Sequence, residues 1–78
     1  MTPTVTNVKP EQDYFLTVEF SNGEIRSFDV KPYLNNGIFQ ELNDLKNFNS
    51  VHFDGLSIEW NNEVSLYPDT VYFGSVAL

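Results

Sequence analysis

The 78-residue sequence predicts an α+β fold: a mainly antiparallel sheet of about six short strands in hairpins and a meander, one short helix packed on it, and a short C-terminal helical turn. Three observations predict it. Apolar and polar side chains alternate at the period of a strand, glycine turn dipeptides separate the alternating runs, and one apolar stripe recurs at helical spacing. No repeat, low-complexity tract or linker divides the chain, so residues 1–78 read as a single domain.

Val5 to Val8 forms a first strand that Lys9-Pro10 ends, because proline cannot donate to a ladder. Tyr14, Leu16, Val18 and Phe20 share one face of the next strand, and that face is core. Asn22-Gly23 then offers the two positive φ angles of a type I′ turn. A two-residue loop places Phe20 opposite Ile25, Glu19 opposite Arg26, Val18 opposite Ser27 and Thr17 opposite Phe28. This register pairs Glu19 with Arg26 and is preferred to a three-residue loop, which sets Arg26 against Val18. Lys31-Pro32 ends that strand.

Ile38, Phe39, Leu42 and Leu45 make the helix stripe, with Asn36 as its cap. So short a helix holds only by laying that stripe on the sheet. Asp54-Gly55 turns a second hairpin with Phe53 opposite Leu56, and Asn61-Asn62 separates Ile58–Trp60 from Val64–Leu66 in a third. Pro68 and Asp69 start a helical turn that Gly74 stops.

A chain of this length hides only about 60% of the surface its unfolded form exposes. With no cysteine, it must find stability in its seven Phe, four Tyr and one Trp, or in a partner. Eleven acidic against four basic residues give a net charge of −7. The bases Lys9, Arg26, Lys31 and Lys46 are scattered among acids, so direct binding to nucleic acid is disfavoured. No apolar run is long enough for a membrane span, and Met1-Thr2-Pro3-Thr4 does not resemble a signal peptide. A soluble, cytoplasmic domain is expected. Its acidity serves either as a solubilising surface or as a complementary face for a basic partner.

Catalysis has little to stand on. His52 is the only histidine and reads as a solvent-facing strand residue; no serine sits in a nucleophile elbow. The acid pairs Asp54 with Glu59 and Glu63 with Asp69 are the sort that eleven acids produce by chance. Neither a calcium loop nor a glycine-rich phosphate cradle is present. No enzyme activity, cofactor or metal is expected. In the predicted register, Phe15 and Phe28 point away from the helix and form an apolar patch with Val30, which the second hairpin covers or an interface uses. Tyr33, Tyr67 and Tyr72 extend that candidate interface, because tyrosine buries area while keeping a polar tip.

An ordered set of short pieces now carries a resemblance. It runs through Phe20-Ser21-Asn22-Gly23-Glu24, Phe28-Asp29-Val30, Pro32-Tyr33-Leu34 and Gly37-Ile38-Phe39 to Leu42, Phe48, Val51, Ile58 and Trp60, and ends at Pro68-Asp69-Thr70-Val71-Tyr72. The set resembles the small bacterial family called domain of unknown function 2442 over nearly the whole chain. Asn62-Glu63 stands where that family usually has Asn-Gly. The resemblance implies a small α+β fold, in some members attached to a helix-turn-helix domain for which a chain ending at Leu78 leaves no room. It also implies genes that neighbour another small family in a toxin-antitoxin-like arrangement. No catalytic residue comes with it.

The expectation is a non-enzymatic protein-interaction module, the antitoxin-like half of a two-gene pair, bound to the neighbouring gene product or to itself. The alternative is an acidic mimic of nucleic acid, with Glu19, Glu24, Asp29, Asp54, Glu59 and Glu63 in phosphate-like rows on a DNA- or RNA-binding protein. The core reading has a direct test in Leu42→Asp. A buried, unpaired carboxylate costs on the order of 5 kcal/mol, comparable with the whole stability of a small domain. The variant should therefore be unfolded by circular dichroism, and an unchanged melting curve would remove Leu42 from the core.

Overall fold

The computed structural model describes residues 2–55 and 57–78. Its strands pair antiparallel, as the α+β reading expects, but they form two sheets where that reading had one. In the first, β1 (Val5–Pro10), β2 (Phe15–Phe20), β3 (Ile25–Asp29) and β7 (Val76–Ala77) lie in the order β1-β2-β3-β7. In the second, β4 (His52–Asp54), β5 (Ser57–Glu59) and β6 (Ser65–Leu66) are neighbours in chain order. The helices α1 (Leu45–Phe48) and α2 (Pro68–Gly74), with three 3-10 segments, fill the connections. Strand β7 had no counterpart in the sequence reading.

On β1 a bulge falls between Val5, which faces Phe20, and Asn7, which faces Glu19. The extra residue, Thr6, lets both Val5 and Val8 point inward across a spacing of three, which a regular strand forbids.

The β2–β3 hairpin departs from the expected register by one residue. The Gly23 amide donates to the Phe20 carbonyl at 2.9 Å and the Phe20 amide to the Glu24 carbonyl at 2.9 Å, closing a three-residue loop. Glu19 then faces Ile25, Val18 faces Arg26, Thr17 faces Ser27 and Leu16 faces Phe28. A type I′ turn needs positive φ at both central residues, but among Ser21, Asn22 and Gly23 only Gly23 adopts it, at 89°. Asn22 is held instead by its own Oδ1, which accepts from the Glu24 amide at 3.0 Å. Because a one-residue slip reverses every side chain, Phe28 joins Leu16, Val18 and Phe20 on the inner face and is 1% exposed. The expected Glu19–Arg26 pairing does not form across this ladder.

The β4–β5 turn is also displaced: Asp54 pairs with Ser57 and Phe53 with Ile58, an apolar pair. Leu56, expected opposite Phe53, lies outside the described residues. Trp60 and Val64 close the β5–β6 hairpin with the same pair of bonds as the first loop, at 3.0 Å from the Glu63 amide to the Trp60 carbonyl and 2.9 Å from the Trp60 amide to the Val64 carbonyl. Here Glu63 occupies the left-handed position at φ 70°.

The stripe from Ile38 to Leu45 is not one α-helix. Gly37–Asn43 is a 3-10 segment, and Asp44 is extended before α1 begins. Asn43 causes the break: its carbonyl accepts from the Tyr14 hydroxyl at 2.5 Å, and its amide donates to the carbonyls of Leu34 and Gln40 at 3.1 and 3.0 Å. Asn36 makes no side-chain cap bond. Asp44 is the cap, accepting from the Lys46 amide at 3.0 Å. Leu42 is fully buried, whereas Ile38 and Leu45 are more than half exposed.

One core joins the two sheets. Leu16, Val18, Phe20 and Phe28 of the first meet Ile58, Trp60, Val64 and Leu66 of the second, with Leu42, Phe48 and Val71 from the connections. The indole Nε1 of Trp60 donates to the Phe48 carbonyl at 3.0 Å, so the largest core side chain leaves no polar atom unpaired. Helix α2 comes close to β3 at Gly74, where a Cβ would lie 2.9 Å from the Phe28 ring.

Left-handed backbone at a non-glycine residue stores strain. Replacing Glu63 with Gly should stabilise the domain by about 0.5–1 kcal/mol, the strain relieved less the added chain entropy, and raise Tm by several degrees. Gly23→Ala at the matching position should cost about 1 kcal/mol or more. Denaturant titration of the two variants checks both signs.

Candidate interaction surface

The residues singled out as a sequence-level interface do not lie together. Phe28 and Val30 are buried in the core, a correction that follows from the three-residue loop. Tyr33 is half-buried between the rings of Phe28 and Phe39, at centroid distances of 5.7 and 5.5 Å. Phe15 does lie on the outer face, but the Lys31 ammonium covers its ring at 4.0 Å. That ammonium is held over the ring by the carboxylates of Asp29 at 3.1 Å and Asp13 at 3.4 Å. Tyr72 is half-buried and engaged below, which leaves Tyr67, 73% exposed, as the open member of the set.

The same loop turns Arg26 to the inner face, where α2 and the start of β7 cover it. Its Nε donates to Ser75 Oγ at 2.7 Å, one terminal nitrogen to the Ser75 carbonyl at 2.9 Å, and the other to Glu24 at 2.8 Å. The guanidinium also lies 4.6 Å from the centre of the Tyr72 ring. The Tyr72 hydroxyl donates to the other Glu24 oxygen, and its ring packs edge-on against Phe20 at 5.1 Å. Hydrogen bonds from Tyr72 and Asn22, with the adjacent Arg26, hold the Glu24 carboxyl below its ordinary value near 4.5. The bond to that carboxylate in turn raises the Tyr72 phenol above its ordinary value of 10. Sequence reasoning missed this group, because the cue for it was the loop length that the Asn-Gly dipeptide left ambiguous.

Four of the most exposed large apolar side chains fall within the last twelve residues: Tyr67 at 73%, Phe73 at 76%, Val76 at 70% and Leu78 at 78%. Strand β7 pairs Ala77 with Arg26 and Val76 with Ser27, and the Leu78 amide donates to the Ile25 carbonyl at 3.1 Å. Val76 and Leu78 therefore share the outer face with exposed Ile25.

Elsewhere the chemistry is sparse. His52 is exposed on β4, its Nδ1 3.1 Å from the Ser50 carbonyl and its Nε2 3.7 Å from Glu59. Two open clefts of about 400 Å³ are lined by Pro10, Glu11, Gln12, Asp13, Leu45 and Asn49, and by Thr2, Pro3, Thr4, Ser21 and Asn22. Neither holds a histidine. Among the described residues no three acids or histidines gather as metal ligands, and no helix is long and apolar enough to cross a membrane. The acids of the mimicry reading divide between faces: Glu19 and Asp29 lie on the outer face of the first sheet, whereas Glu24 lies on its inner face with Arg26.

The family model described as Protein of unknown function (DUF2442) matches residues 5–77. Neither a curated protein nor a solved structure matches the chain.

A carboxyl with a lowered folded value contributes stability above its unfolded value and loses it as pH falls through the folded one. A phenol with a raised folded value contributes below its unfolded value and loses that as pH rises. Tyr72→Phe should therefore give a stability–pH curve flatter than that of the parent below pH 4.5 and above pH 10, and Glu24→Gln should flatten the acid limb. Urea titrations across pH read both limbs; an acid limb as steep in Glu24→Gln as in the parent would remove Glu24 as its source.

Proposed function

We propose that the chain, which belongs to the DUF2442 family, works as a non-enzymatic protein-interaction module whose contact surface is built by α2 and β7. The observation that carries this reading is the concentration of exposed Tyr67, Phe73, Val76 and Leu78 in one terminal segment. Single exposed apolar side chains need no explanation, but four of them within one segment of twelve residues have the composition of an interface. The rest of the surface supports binding over catalysis: the clefts are open, and His52 has an exposed carboxylate and a backbone carbonyl as its neighbours.

The partner we infer first is the neighbouring gene product, which makes this chain the antitoxin-like member of a two-gene pair, the arrangement its family resemblance implies. A net charge of −7 favours a basic partner, since opposite charge speeds encounter and sets orientation. Nucleic-acid mimicry has less support, because Glu24 is spent on Arg26 and Tyr72.

Co-expression with the neighbouring gene tests the module. The two products should co-elute, and Phe73→Ser with Val76→Ser should weaken the complex by more than about tenfold while leaving Tm nearly unchanged, because both side chains are exposed. Separate elution of the co-expressed proteins, with no heat of binding, would defeat the pair.

A further inference from the structure

We infer that the free edge of β7 is a strand-addition site for an extended, basic segment of a partner protein, a reading that rests on the interaction module above and specifies how it binds. The two edges of the first sheet differ. The β1 edge carries Lys9 and Pro10, two features that discourage pairing, and β4 packs beside it. The β7 edge carries Val76, Ala77 and Leu78, with neither a charged side chain nor a proline among them.

Backbone geometry supplies the site. In an antiparallel ladder, alternate residues turn their N–H and C=O groups toward the neighbouring strand. The Leu78 amide bonds to Ile25 across from it, so Ala77 directs its own amide and carbonyl away from β3. An incoming strand takes that donor and acceptor and extends the ladder outward. Its apolar side chains, at every second position, lie against Val76 and Leu78 on the outer face.

Charge selects the occupant. A second copy would bring two charges of −7 together across a short apolar strip, whereas a segment of net positive charge is drawn to the acidic chain as a whole. Main-chain bonds set the register, the apolar positions supply contact area, and the net charge of the segment discriminates between partners.

The probe is a short end-capped peptide alternating Val and Lys, titrated into the whole chain by NMR. Exchange of the Ala77 amide should slow by about tenfold or more as the peptide saturates, and affinity should fall as salt rises. A Val–Glu peptide, and the Val–Lys peptide N-methylated at alternate residues, should each bind at least about tenfold more weakly. Ala77→Pro removes the outward donor while sparing the bonds of Val76 and Leu78 to β3, so it should abolish peptide binding. If that variant fails to fold, the N-methylated peptide asks the same question of the parent chain. Equal binding of the N-methylated or Val–Glu peptide overturns the inference, as does an Ala77 amide that stays unprotected. A dimer of the chain alone that Ala77→Pro abolishes also overturns it, by making the occupant a second copy. A complex with the neighbouring gene product that tolerates Ala77→Pro removes strand addition and leaves the module. Protection of Ala77 by the peptide, with no such complex, removes the neighbouring partner and leaves the edge.

Discussion

The left-handed backbone at Gly23 closes a loop of three residues between Phe20 and Glu24, and every side chain on β3 takes its face from that loop. Side chains alternate along a strand, so a loop one residue shorter would exchange the two sets completely. With three residues, Phe28 enters the core opposite Leu16, and Arg26 and Glu24 are carried inward with it. Packing and electrostatics of the first sheet are thus coupled: the register that buries a phenylalanine also turns a guanidinium to the inner face.

That guanidinium accounts for much of the C-terminal architecture. A charge turned inward is costly unless it is paired and hydrogen-bonded; Glu24 pairs with it locally, and its remaining hydrogen-bond partner, Ser75, comes from a segment about fifty residues away in the chain. Ser75 and Tyr72 reach Arg26 and Glu24 because α2 packs on β3, and α2 can approach because Gly74 has no side chain to meet Phe28. The same contacts deliver β7 to the edge of the sheet. A polar group of five residues, Asn22, Glu24, Arg26, Tyr72 and Ser75, therefore fastens the segment that carries the four most exposed large apolar side chains among the described residues. On the other side of the core, Trp60 makes a similar tie through its bond to the Phe48 carbonyl.

A small domain with no cysteine has few ways to stay folded, and this one uses most of its aromatic residues inside. Tyr14 meets Phe48, Phe20 meets Tyr72, and Phe28, Tyr33 and Phe39 form a chain of ring contacts. The aromatic and aliphatic groups left outside are therefore informative, and those most open to solvent lie within the last twelve residues.

The fold class was legible because alternation and turn dipeptides are local properties of the sequence: Leu16, Val18 and Phe20 announce one buried face, and Lys31-Pro32 ends β3 where expected. Leu42 was legible as core for the same reason. The continuous helix was not, since Asn43 gives its carbonyl to Tyr14, a partner twenty-nine positions away that no local pattern contains. Nor was the terminal surface, because Val76 and Ala77 are too few to read as a strand until β3 lies beside them. The sequence by itself determined the composition, the acidity, the class of fold and which faces of β2 and the Leu42 segment are apolar. The tertiary structure decided the register of β3, the side on which Phe28 and Arg26 lie, and which edge of the sheet stays open. Each of these turns on one residue of loop length or on a contact between distant segments, and such energies are settled only when the whole chain is packed.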